Sequence, residues 1–117
     1  MYMKKLIIAV DFDGTIVEHQ YPEIGKIRQY SFDILKQLKE EGHKLILWTC
    51  REGVDLENAV IFCKNNGIEF DAVNENLKET LFKTSNKIFY DVLIDDRNLK
   101  WNNDCWLDIY MELYLLT

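Results

Sequence analysis

The sequence predicts an α/β fold: a three-layer sandwich built on a mainly parallel sheet of about five strands. Two observations predict it. Short, nearly continuous apolar runs recur along the chain, and segments with helical spacing of apolar residues separate them. Lys5–Val10 (KLIIAV), Lys44–Trp48 (KLILW) and Asp91–Ile94 (DVLI) are the clearest runs, the pattern of strands buried on both faces of a parallel sheet.

The elements follow in order. After the first strand, Ser31–Glu41 reads as a helix: Ile34, Leu35 and Leu38 share one face, Ser31 is placed to cap, and Gly42 suits the left-handed stop. After the second strand, Leu56, Ala59, Val60 and Cys63 fall at i, i+3, i+4 and i+7, with Asp55 as the expected N-cap and Gly67 just past the end. Ile68–Val73 is a weaker strand. Trp106–Tyr110 fits a last strand, although Trp106, Ile109, Tyr110 and Leu113 fit a helix equally well. Strands alternating with helices imply right-handed crossovers and helices on both faces of the sheet. In such sheets ligands bind at the carboxyl ends of the strands.

Residues 1–117 are expected to form a single domain, since the length suffices for one core and no repeat or low-complexity segment divides it. The hydrophobic fraction of 48% and charged fraction of 29% suit a folded soluble chain. A net charge of -6, with no dense Lys/Arg run, opposes binding to a nucleic-acid backbone or an anionic membrane. The apolar run near the start meets Asp11 and Asp13 where a leader would need a cleavage site, and it is far shorter than a membrane span. A cytoplasmic location is therefore expected. Cys50, Cys63 and Cys105 show no C-x-x-C spacing and are read as reduced thiols.

The first strand runs directly into Asp11-Phe12-Asp13-Gly14-Thr15. Strand side chains alternate, so Asp11 and Asp13 are expected on one side, and Gly14 permits a sharp turn. The second strand ends in Thr49 and the third in Asp95-Asp96. Adjacent strands would bring up to four carboxylates to one rim. Any one of these Asp residues reads most simply as a cap or turn former, but a whole cluster is costly without a cation. Oxygen-only donors favour a hard divalent ion, magnesium in particular where phosphate completes the shell.

DFDGT after an apolar strand, Thr49 after the next, then Lys87 ahead of a strand ending in Asp95-Asp96 resembles the haloacid dehalogenase superfamily. The wider wording, IVEHQYPEIG, LILWTCREG and LIDDRN, is similar to its small capless phosphohydrolases. The resemblance implies a Rossmann-like sandwich and a magnesium-dependent phosphomonoesterase working through an aspartyl-phosphate on a phosphorylated metabolite or macromolecule. Asp11 would be the nucleophile and Asp13 the general acid and base. Thr49 and Lys87 would hold the phosphoryl oxygens and offset their charge. Asp11, Asp95 and the backbone carbonyl of Asp13 would surround magnesium, with Asp96 ligating through water or pairing with Lys87.

The intervals Ile16–Leu47 and Gly53–Asn86 are too short for a cap of ordinary size. The open site this implies suits a large phosphorylated substrate, or a small one enclosed by a neighbouring subunit in a homo-oligomer. After Asp95-Asp96-Arg97-Asn98 the related proteins tend to carry glycines, whereas this chain continues Leu99-Lys100-Trp101. The competing function class is a phosphate-responsive receiver-like or non-catalytic binding module; a receiver would lack the second Asp of DFDGT. Arg51 is placed to reach the substrate phosphate or to pair with Glu52 or Asp55. Arg97 is read as pairing locally, His19 and Tyr21 as packing or exposed residues, Cys50 as a buried thiol, and Trp101 and Trp106 as closing the core.

Overall fold

The structure is a computed structural model that describes residues 4–117. Strand β1 (Ile7–Val10) leads through a loop to helix α1 (Ser31–Glu40), then come β2 (Lys44–Leu47), α2 (Gly53–Asn65), β3 (Ala72–Val73), β4 (Val92–Ile94) and α3 (Trp106–Leu116). The four strands form one parallel sheet in the order β3-β2-β1-β4. The apolar central position of β1 explains its composition: both of its edges are paired and both of its faces are covered.

The period-two alternation of the strands divides the core in two. Ile8 and Val10, with Leu45, Leu47 and Ile94 beside them, share one buried cluster with Leu35 and Leu38 of α1, Ala59 and Cys63 of α2, and Trp106, Ile109 and Leu113 of α3. The opposite face presents Ala9, Ile46 and Ala72, and these pack on Leu77 and Ile88. Helices on both faces were expected, yet all three pack on one side. The third layer is the segment between β3 and β4, which contains no helix. That segment lacks a sustained helical period, and its two buried apolar residues cover the small Ala9 and Ala72 without needing one.

Among the described residues there are four strands rather than about five. The expected strand at Trp106–Tyr110 is the first half of α3, because Trp106, Ile109 and Leu113 meet the core on a single helical face. Trp106 is buried and donates its indole N–H to the Thr15 carbonyl at 2.9 Å, while Trp101 packs at the core's margin beneath Arg28.

Local chemistry moved two caps. Ser31 begins α1 but spends its hydroxyl on the Ile16 carbonyl, and Tyr30 holds the N-cap position in a left-handed conformation. Helix α2 starts at Gly53 with Glu52 as N-cap, which leaves Asp55 inside its first turn, where a carboxylate still favours the helix dipole. Gly42 and Gly67 stand at positive φ past α1 and α2, as their sequence positions imply. No helix among the described residues is long and apolar enough to cross a membrane, and no additional domain interrupts the intervals between the strands.

Candidate active site

Strand register builds the site. Val10 pairs with Leu47 on one side and Ile94 on the other, so β1, β2 and β4 end level with one another. The residues just beyond, Asp11, Thr49 and Asp95, therefore share the carboxyl rim. The Asp11 amide continues the ladder by donating to the Ile94 carbonyl at 2.9 Å. Phe12 is fully buried in the helical core and anchors the loop between the two carboxylates.

Gly14 and Thr15 explain why the turn has this composition. Gly14 sits at φ +85°, and a Cβ there would lie 2.3 Å from Asp96 Oδ2, so both the backbone and the neighbouring carboxylate require glycine. Thr15 is wholly buried and ties the two ends of the cluster together. Its hydroxyl donates to Asp11 Oδ2 at 3.0 Å and accepts the Asp96 amide at 3.0 Å. Sequence reasoning gave Thr15 no role; its place directly after Asp-Gly was the available signal.

Asp11, Asp95 and Asp96 bring one carboxylate oxygen each to within 4.8 Å of one another, all half-buried. Burial first, and the charges of Asp95 and Asp96 after it, push the Asp11 carboxyl up to about 8. Three oxygen donors converging without a compensating cation fit a hard divalent ion. Asp13 brings no side-chain oxygen to this cluster, because its carboxylate faces the other way.

That carboxylate pairs with Arg51. Nε donates to Asp13 Oδ2 and Nη2 to Asp13 Oδ1, each at 2.8 Å. Nη1 reaches the carbonyls of Pro22 and Asp55, and Nη2 also reaches that of Glu23. A guanidinium has five N–H donors, and here the protein engages all of them. The expectation that Arg51 grips a substrate phosphate, or pairs with Glu52 or the Asp55 carboxylate, is thus replaced by a buried clamp on Asp13, with the guanidinium lying between the rings of Phe12 and Tyr21.

Thr49 is fixed through its backbone, whose N–H donates to Asn74 Oδ1 at 2.8 Å. Its Oγ1 accepts the Arg51 amide at 3.2 Å, which leaves the hydroxyl proton to donate elsewhere. Lys87 is not among the residues that line the cleft around Asp11 and Thr49. It is exposed and precedes β4, whose amino end is marked by the Asp91 amide bonding the Ile7 carbonyl at the start of β1. Among the described residues Lys87 makes no ion pair with Asp96 or any other carboxylate.

One open cleft of about 450 Å³ joins Asp11, Asp13, Thr49, Arg51 and Asp95 with His19, Tyr21, Cys50 and Arg97. Cys50 is exposed on its wall rather than buried; Cys63 is the buried thiol, pushed up to about 12 by desolvation. Arg97 makes no ion pair among the described residues, contrary to its expected local pairing. His19 and Tyr21 are exposed, and their place on the cleft comes from the loop that Arg51 holds, a long-range contact with no sequence signature.

A family model described as haloacid dehalogenase-like hydrolase matches residues 8–100. No curated protein matches the chain. A solved structure of a conserved protein from Bacteroides thetaiotaomicron superposes with a TM-score of 0.90 at 42% sequence identity, covering 97% of this chain and 93% of that one. The family model covers most of the chain and the superposition nearly all of it, and the chain belongs to the haloacid dehalogenase-like hydrolases.

Proposed function

We propose that the protein is a magnesium-dependent phosphohydrolase that moves the phosphoryl group of a monoester first to Asp11 and then to water. The observation that carries this reading is one cleft lined by Asp11, Asp13, Thr49 and Arg97 beside the Asp11–Asp95–Asp96 cluster. Asp11, Asp95 and Asp96 would hold the ion, which when bound supplies positive charge to the phosphoryl oxygens and to the nucleophile.

The chain's own residues divide the remaining work. The Asp11 carboxylate attacks phosphorus, an Asp11 O–P bond forms, and the bond to the leaving oxygen breaks. Asp13 serves that oxygen with a proton and then takes one from the water that attacks the aspartyl-phosphate, releasing inorganic phosphate and restoring Asp11. In the geometry described, the two-point contact with Arg51 fixes the orientation of the Asp13 carboxyl group. Thr49 donates its free hydroxyl proton to a phosphoryl oxygen. With Lys87 outside the cleft lining and the Arg51 donors engaged by the protein, Arg97 is the cation left to offset phosphoryl charge.

Release of inorganic phosphate from 4-nitrophenyl phosphate with magnesium tests the reading. Repeated turnover by the wild type and none by Asp11→Asn supports it. A single retained phosphoryl group per chain would instead indicate a receiver-like module, and substantial turnover by Asp11→Asn would exclude the covalent mechanism.

A further inference from the structure

We propose that Tyr21 is a stacking platform for the leaving group, so that the favoured substrate is a phosphate monoester whose leaving group carries a planar unsaturated ring. The inference rests on the phosphohydrolase reading and names the substrate class for that site.

Tyr21 lines the catalytic cleft and is held from two sides. Its hydroxyl donates to Asp55 Oδ2 at 3.1 Å, and the Arg51 guanidinium carbon lies 5.1 Å from its ring centre. Arg51 is 2% exposed and Tyr21 is 51% exposed, so the guanidinium covers the inner face of the ring and the outer face is open. The loop beneath is pinned as well, because Arg51 bonds the carbonyls of Pro22 and Glu23. A ring already fixed in position loses little freedom when a second ring docks on it. An unattached surface tyrosine would show neither the tethered hydroxyl nor the covered face.

The order of contacts sets the direction of the substrate. Asp13 serves the leaving oxygen, the edge of the Arg51 guanidinium grips Asp13, and Tyr21 covers the face of that guanidinium on the wall of the same cleft. A leaving group that extends outward past Asp13 therefore meets the Tyr21 ring, while the phosphoryl group stays beside Asp11 and Thr49. The π-face offers an apolar surface and no hydrogen-bond code, which selects for a flat ring rather than for one particular base.

The test compares kcat/KM for adenosine 5′-monophosphate, benzyl phosphate and glycerol 3-phosphate with magnesium. All three release a primary alkoxide, so differences report the ring. The wild type is expected to favour at least one ring-bearing substrate over glycerol 3-phosphate by roughly 5- to 150-fold, the range spanned by stacking of a base on an aromatic side chain. A preference for adenosine 5′-monophosphate alone identifies a nucleobase, and for benzyl phosphate a simple aryl group; either supports the proposal. Tyr21→Leu should bring the ratio toward one, whereas Tyr21→Phe should keep most of it. Should Tyr21→Leu not fold, Tyr21→Trp takes its place and is expected to raise the ratio. Turnover without ring preference in the wild type, a ratio that survives Tyr21→Leu, or one that does not rise in Tyr21→Trp overturns this inference alone. No turnover of any phosphate ester overturns the phosphohydrolase reading and this inference with it.

Discussion

The guanidinium of Arg51 and the carboxylate of Asp13 form a parallel two-point pair, with both N–H···O distances at 2.8 Å and the arginine side chain 1% exposed. Such pairs fix orientation as well as charge. Removing one partner of a buried pair leaves the other uncompensated, at a typical cost of about 3–5 kcal/mol. Arg51→Ala should therefore lower stability by that order, and adding Asp13→Asn should recover part of the loss. Arg51→Lys keeps the charge but cannot span Asp13 and three carbonyls, so activity should fall more than stability does. Denaturant melts of the singles and the double decide this: simple additivity would show that the pair is not coupled.

The positive charge facing the phosphoryl group separates two assignments. Arg97 lines the cleft with no ion-pair partner among the described residues, whereas Lys87 does not line it. Arg97→Ala is expected to reduce kcat/KM by about 10² or more, the scale seen when one transition-state donor is lost. Lys87→Ala should change it little. Steady-state kinetics on the two purified variants checks this, and the reverse ranking would return the role to Lys87.

Asp13→Asn should uncouple the two chemical steps. A substrate with a good leaving group still phosphorylates Asp11, but hydrolysis loses its base, a contribution of about 10² to 10⁴ in rate. Rapid mixing with 4-nitrophenyl phosphate should then give a burst of nitrophenol followed by a slow steady state. A linear time course at the wild-type rate would leave Asp13 with no acid-base role.

The parts of this site legible in the sequence are those set by strand chemistry. An apolar run followed by Asp-x-Asp-Gly forces a rim carboxylate, and parallel register then brings the strand ends level, so Asp11, Thr49, Asp95 and Asp96 could be placed from spacing and resemblance. The simpler reading of a strand-associated Asp holds elsewhere: Asp71 and Asp91 accept the amides of Leu45 and Ile7 from the neighbouring strands. Lys87 was placed from its spacing before the last strand, and it does not line the cleft. Arg51 was illegible because its partners come from three separate segments, at Asp13, Pro22–Glu23 and Asp55. The second sheet face was anticipated as helical on general α/β grounds, and nothing in its local sequence contradicted a loop layer built on Leu77 and Ile88.

The metal and pH dependence of stability follow from Asp11. Burial and the neighbouring Asp95 and Asp96 raise its carboxyl from the ordinary 3.8 to about 8 in the folded chain. Between those values the folded state holds a proton that the unfolded state has released, so stability from this group is full below the unfolded value and is lost as pH rises toward 8. The metal-free protein should accordingly melt lower at pH 8 than at pH 5, and Asp11→Asn should flatten that slope while abolishing turnover and leaving the fold intact. Magnesium reverses the trend at pH 8, because a cation between Asp11, Asp95 and Asp96 favours the ionised form. Binding to the native state alone contributes about 2.7 kcal/mol at a hundredfold excess over Kd, a rise in melting temperature on the order of 10 °C for a domain of this size. Orthophosphate added with magnesium should raise the midpoint further, and without magnesium that second increment should vanish. Thermal melts across pH 5–8, with and without magnesium, carry the test: a midpoint indifferent to the ion at every pH would show that the three carboxylates do not form a metal site.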